Sequence, residues 1–220
     1  YYIGGAIADQ SALTLQTPES FMHRFRIDVR VRNEAIAIDR NKKSVQVKRL
    51  DDGSVYAESY DELILSPGAT ALRPDVPGID DAHIVTLRTV EDTLAIRQTV
   101  DDRTPSRAVI VGGGFIGIEM AENLISRGIP TTLLQRSAQV LPFIDYDMAC
   151  QVHAYLRDKG LDVRLNTPIS SYEPLDQADG VRINLDDGTS IEAELVVLAV
   201  GVVPDTHLAR EAGLELGMKG

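Results

Sequence analysis

The sequence predicts an α/β fold: a parallel sheet flanked by helices and an antiparallel β-meander, present once in full and once as an incomplete second copy. Three observations predict it. A buried-strand run, Ala108-Val109-Ile110-Val111, leads through a glycine cluster into a helical stretch and back to a second apolar strand, Thr131-Thr132-Leu133-Leu134. Two alternating strand pairs are each closed by an Asp-Gly turn, and each is followed by an apolar run that ends in glycine. The features recur at a nearly constant spacing along the chain, which points to a duplicated unit.

Taken in order, Pro18 to about Phe25 carries the spacing of an amphipathic helix, and Ile27-Asp28-Val29-Arg30-Val31 that of a strand. Val45 to Leu50 with Asp51-Asp52-Gly53-Ser54 forms the first Asp-Gly hairpin, and Leu63-Ile64-Leu65 runs as a buried strand into Ser66-Pro67-Gly68. Leu94 to Val100 reads as a short helix. Arg103-Thr104-Pro105-Ser106 reads as a linker, placing a boundary near residue 105 between domains 1–105 and 106–220. After the glycine cluster, Ile118 to Arg127 has helical periodicity ending at Gly128, and a second amphipathic helix spans Asp147 to Lys159. Leu161-Asp162-Val163-Arg164-Leu165 then repeats the Ile27 strand. Val181 to Leu185 with Asp186-Asp187-Gly188-Thr189 repeats the hairpin, and Val197-Leu198-Ala199-Val200-Gly201 repeats the Leu63 run. The helix at Pro18 has no strand–helix–strand unit before it. The first copy is therefore expected to lack its opening unit and pack incompletely, and the natural protein to extend upstream of Tyr1.

Composition narrows the function. With 44% hydrophobic and 25% charged residues in 220, the chain is an ordinary globular protein. Lys and Arg number 22 against 33 Asp and Glu, a net charge of −11, and no basic run stands out, which excludes nucleic acid as a partner. The longest apolar stretch, around Leu195 to Val200, has a strand's length, so no membrane span is expected. The lone Cys150 cannot form an intrachain disulfide, and a reducing cytoplasm fits a chain without a visible secretory signal. No metal-ligand cluster is visible.

The chemistry concentrates in Gly112-Gly113-Gly114-Phe115-Ile116-Gly117, a GxGxxG between a buried strand and a helix. Gly112 permits the tight turn, Gly114 lets the backbone approach a pyrophosphate, and Gly117 allows the helix to lie close on the strand; the helix N-terminus supplies the anion site. This is a Rossmann-like dinucleotide unit. Its second strand usually ends in an acid that accepts a hydrogen bond from the adenosine ribose 2′-OH, but here stand Gln135 and Arg136. A neutral amide does not repel a 2′-phosphate and a guanidinium can pair with one, so NADPH or dual use enters beside NADH. A duplicated unit implies two dinucleotide sites and electron relay between a nicotinamide and a second dinucleotide, most naturally FAD.

The segments Tyr2-Ile3-Gly4-Gly5, Thr17-Pro18-Glu19, Tyr60 to Ala69, Leu87-Arg88, Gly112 to Glu122 and Ala199 to Thr206 together resemble the pyridine nucleotide–disulfide oxidoreductase family, over essentially the whole chain. They look most like its single-cysteine branch of CoA-disulfide reductases, NADH oxidases and NADH peroxidases. The resemblance implies a homodimeric flavoenzyme in which NAD(P)H reduces FAD and the flavin reduces a redox cysteine acting on a disulfide, peroxide or oxygen. That cysteine is expected upstream of Tyr1, so this piece alone is expected to be inactive. The resemblance places Ser66, Pro67, Gly68, Ala69 and Arg88 near FAD, and Ala35 near its adenine. Phe115 falls where relatives carry a ring that covers the flavin until nicotinamide displaces it. Glu119 matches an acid that pairs with a lysine near the flavin, and Ile116, Gln135, Phe143 and Gly201 match nicotinamide-dinucleotide contacts. The likeness to CoA-disulfide reductases is strongest in Leu65 to Ala69 and Glu119 to Leu124. Some of those enzymes have a CoA-contacting lysine where this chain has Phe25, flanked by Arg24 and Arg26, which could bind CoA phosphates. Cys150 lacks a catalytic surrounding and is read as structural, and His153 and His207 carry no functional signal.

Overall fold

The computed structural model describes residues 1–176 and 178–218. After a short 3-10 turn at Gln10–Leu13 come helix α1 (Pro18–Phe25) and strands β1 (Asn33–Asp39), β2 (Ser44–Arg49), β3 (Val55–Ser59), β4 (Ala69–Ala71) and β5 (Ile84–Thr86). Then follow α2 (Val90–Arg103), β6 (Ala108–Val111), α3 (Phe115–Ser126), β7 (Thr131–Leu134), α4 (Tyr146–Asp158) and β8 (Asp162–Arg164). The chain continues through β9 (Ile169–Pro174), β10 (Val181–Leu185), β11 (Ser190–Ala193), β12 (Leu195–Leu198), β13 (Val202–Pro204) and α5 (His207–Glu211). Contacts divide it into a larger unit, Tyr1–Gln10 with Ala71–Val202, and a smaller one, Ser11–Thr70 with the chain from Val203 onward.

The larger unit is built on a five-stranded sheet of order β5-β12-β6-β7-β8, parallel throughout. Its central strands read as continuous apolar runs because both faces are covered. Successive side chains of β6 go to opposite faces: Ala108 and Ile110 join α3's Met120, Ala121 and Leu124, whereas Val109 joins Tyr172, Val181, Ile183 and Ile191 of the meander β9–β10–β11. Helix α2 opens with a reciprocal cap between Thr89 and Asp92 and buries Ile96 and Val100. The expected boundary near residue 105 does not follow the contact division, since β5 pairs in parallel with β12 and α2 packs in the same core as β6.

The smaller unit holds α1, capped by Thr17, the antiparallel meander β1–β2–β3 and α5. The repeated hairpins close alike. Arg49 N–H donates to Ser54 O and Gly53 N–H to Arg49 O, while Leu185 N–H donates to Thr189 O and Gly188 N–H to Leu185 O. In each turn the aspartate before glycine accepts the N–H two residues on, and the glycine has positive φ.

Two expected strands of the first copy do not form. Ile27–Val31 and Leu63–Leu65 lie outside strands and Ile64 is 88% exposed, whereas their counterparts give β8 and β12. The reason is pairing: β8 has β7 beside it and β12 has β5 and β6, and the described residues supply no such neighbours to the other two runs. Consistently, no described residue of the smaller unit is buried.

Candidate functional site

The site lies where β6 turns into α3. Gly112 has φ +108°, and a Cβ there would sit 2.5 Å from Ala199 O. A Cβ on Gly113 would come 2.7 Å from the Val140 side chain, and one on Gly117 would collide with the Gly112 carbonyl oxygen. The turn and the close helix–strand packing therefore require three of the four glycines. Gly114 differs. It caps α3 in ordinary extended backbone, φ −81° and ψ −177°, and an added Cβ meets nothing within 4 Å. Neither contact nor dihedral demands glycine there. No side chain caps the first turn of α3 and no acid lies in it, so its N–H groups and dipole end suit an anion.

Gln135, immediately after β7, folds back onto this turn: Gly113 N–H donates to Oε1 at 2.8 Å, and Nε2 donates to Ser137 Oγ at 2.6 Å. Arg136 beside it is exposed. The connection from Gln135 to α4 crosses the glycine turn, with Leu141 N–H donating to Gly113 O at 2.8 Å. The sequence placed Gly113 in the cofactor-binding turn without a packing role of its own, and gave His153 no role. The buried His153 accepts the Val140 N–H on Nε2 at 3.1 Å, fixing the loop that packs on Gly113. Burial, with Arg157 nearby, holds the imidazole below its ordinary pKa, which keeps that nitrogen an acceptor. The only signal was its place on the inward face of an amphipathic helix.

The same loop carries Phe143, and α3 begins with Phe115. Both rings are well exposed and lie together, centroids 4.8 Å apart and tilted by 36°. Ile116 next to Phe115 is also exposed. On the neighbouring face of α3, Ile116 and Glu119 line a cleft of about 290 Å³ with Tyr1, Ile3, Leu87 and Arg88. Gly201 follows β12 with φ +115° and open space at its Cβ position.

The remaining expected site residues are dispersed. In the smaller unit Ala35 is exposed beside a bulge in β1, Ser66, Pro67 and Gly68 are exposed, and Ala69 begins β4. Cys150 is exposed on α4, where the Tyr146 hydroxyl bonds to it one turn away and has its pKa raised as a result. The reading of Cys150 as a structural thiol thus finds no core around it. Among the described residues no cluster of three His, Cys, Asp or Glu suits a metal, and no helix is long and apolar enough to cross a membrane.

The residues present fit a nicotinamide dinucleotide: an uncapped helix N-terminus for the pyrophosphate, an open approach over Gly114, and flat apolar rings beside it. Comparison with known proteins agrees. Coenzyme A disulfide reductase of Staphylococcus aureus is 32% identical over 220 residues, covering 100% of this chain and 48% of that protein. The crystal structure of reduced Bacillus anthracis CoADR-RHD superposes with a TM-score of 0.94 at 39% identity, over 100% of this chain and 39% of that one. An engineered water-forming NADPH oxidase bound to NADPH, made from the Lactobacillus brevis NADH oxidase, matches with a TM-score of 0.89 at 29% identity, over 100% of this chain and 47% of that one. Its substitutions include three consecutive ones, Asp, Ala and Met to Ala, Arg and Ser. The chain spans about half the length of the curated relatives it matches. Residues 4–220 match the pyridine nucleotide-disulphide oxidoreductase family, and the chain belongs to that family of NAD(P)H-dependent flavin oxidoreductases.

Proposed function

We propose that the intact protein is an FAD-dependent NAD(P)H:disulfide oxidoreductase acting on coenzyme A disulfide or a similar small disulfide, with the nicotinamide nucleotide bound at the turn from β6 to α3. The observation that carries the reading is Gly114 at the N-cap of α3, over which the fold leaves open the space that an approaching pyrophosphate would take. Bound NAD(P)H and FAD would supply the hydride and electron-transfer chemistry by which a redox thiol reduces the disulfide. This chain's own residues bind and orient. The α3 N-terminus holds the pyrophosphate, Gly201 lets backbone approach at the carboxyl end of β12, and Phe115 and Phe143 exclude water beside the nicotinamide. The contacts to FAD are assigned to Ala35, Ser66, Pro67, Gly68, Ala69 and Arg88. Residues 1–105 are read as part of an FAD-binding domain and 106–220 as the NAD(P)-binding domain, of a cytoplasmic homodimer. The similarity to coenzyme A disulfide reductase supports the substrate class.

The test is anaerobic turnover of the intact protein with NAD(P)H and coenzyme A disulfide. Two thiols are expected to appear per nicotinamide oxidised. The likeness to a water-forming oxidase favours one alternative, in which NAD(P)H oxidation needs oxygen and no thiol appears. That result would replace the disulfide assignment.

A further inference from the structure

We infer that the end of β7 is built to receive a 2′-phosphate, so that this protein draws its electrons from NADPH in preference to NADH; the inference rests on the turn from β6 to α3 being the nucleotide site. The residue that reads the adenosine ribose stands directly after β7, and a carboxylate there accepts the 2′-OH and repels a 2′-phosphate. Here it is Gln135. Its carbonyl accepts the Gly113 N–H and its amide donates to Ser137 Oγ, so both polar ends are committed to holding the turn. The position offers no negative charge.

The backbone that carries the neighbouring cation is pinned, and the cation itself is unspent. Gln135 N–H donates to Arg164 O at 2.9 Å, Thr167 N–H to Gln135 O at 3.0 Å, and Asn166 N–H to Ser137 O at 3.0 Å. These three backbone bonds bracket Arg136 on both sides. Its side chain is exposed and makes no hydrogen bond or ion pair among the described residues, in a chain with 33 acidic side chains. Several arginines find carboxylates, Arg30 with Glu58, Arg103 with Asp179 and Arg182 with Glu192, whereas Arg136 shares with Arg26 and Arg107 a side chain that pairs with none among the described residues. On the neighbouring strand β8, Asp162 is already bound to Arg164 at 2.9 Å and accepts from Thr132 Oγ1. An unpaired guanidinium on a backbone pinned at both sides, next to a neutral amide, is an arrangement that favours a phosphate, which it can grip with two parallel N–H bonds. With a net charge of −11, the chain needs such a local cation to attract the more highly charged nucleotide.

The experiment is calorimetric titration of the chain with NADPH and NADH at one ionic strength, with 2′,5′-ADP and 5′-AMP as probes of the adenosine half alone. NADPH is expected to bind about tenfold or more tighter than NADH, the discrimination of a charge-assisted contact. The same ratio is expected between 2′,5′-ADP and 5′-AMP. Arg136→Ala should cost NADPH about tenfold more than it costs NADH, with Arg136→Lys restoring part of the preference. Gln135→Glu keeps an oxygen for Gly113 N–H and adds the charge, so it should reverse the preference. If both nucleotides bind and NADH is equal or tighter, or if Arg136→Ala leaves the ratio intact, the inference is overturned and the site itself stands. If a folded chain binds neither nucleotide nor either probe, the site reading falls and this inference with it.

Discussion

Gly117 and Gly114 stand three residues apart in one turn, and the fold treats them in opposite ways. A methyl on Gly117 collides with the carbonyl oxygen of Gly112, so Gly117→Ala should lower unfolding stability by about 1–3 kcal/mol, as overpacking does. Gly114→Ala faces open space in ordinary backbone and should lose only what a poorer N-cap costs, about 1 kcal/mol or less. Denaturant melts of the two variants check the contrast, and equal losses would remove the argument that Gly114 answers to a ligand. Two histidines titrate with opposite sign. His83 lies between Asp81 at 2.7 Å and Asp179 at 2.8 Å; burial pulls its pKa down, but the two carboxylates outweigh burial and hold it above its ordinary value near 6.5. Its contribution to stability is complete below about pH 6.5 and is lost as pH rises through the raised pKa. His153, held low by burial and by Arg157, contributes fully above about pH 6.5, and that is lost as pH falls through its lowered value. His83→Gln should therefore flatten the alkaline side of a stability–pH curve and His153→Gln the acid side; the reverse assignment would show that these contacts do not set the titrations. The glycines of the turn were legible because their spacing encodes geometry. The role of His153 was not, since its partner is a backbone N–H thirteen positions away that only folding brings near.

At the scale of elements, strands form where neighbours exist to bond them. Leu195–Leu198 and Leu63–Leu65 are similar apolar runs, yet β12 sits between β5 and β6 and the other run has no ladder. A strand has no internal hydrogen bonds, so its sequence announces a preference that only a partner realises, whereas a helix closes its own bonds. That is why Pro18–Phe25 was readable to its ends and Thr131–Leu134 to its limits, while Ile27–Val31 was misread as a strand. The same physics sets local stability. Hydrogen exchange should find the amides of β6, β7 and β12 slowest, and those of residues 27–31 and 63–68 fast, close to unprotected rates. Protection of residues 63–68 comparable to β12 would mean that they are paired in solution. Helix α2 was recognised only in its middle, because the Thr89–Asp92 cap that starts it lies outside the apolar pattern.

At the scale of the whole molecule, the larger unit joins a parallel sheet, a meander and a glycine turn in one Rossmann-like body whose α3 N-terminus no side chain caps. The fold class was legible from spacing and the family from the resemblance of particular segments; the packing of β5 and α2 with the later strands was not, because a linker-like Arg103-Thr104-Pro105-Ser106 interrupts the sequence but not the core. The turn from β6 to α3 is proposed as the site of the nicotinamide nucleotide. Calorimetry of NADPH against the chain and against Gly114→Val tests it most directly, with circular dichroism showing both to be folded. Saturable binding to the parent is expected, weakened by at least about tenfold in a variant of similar stability. Equal affinity in the two would contradict it.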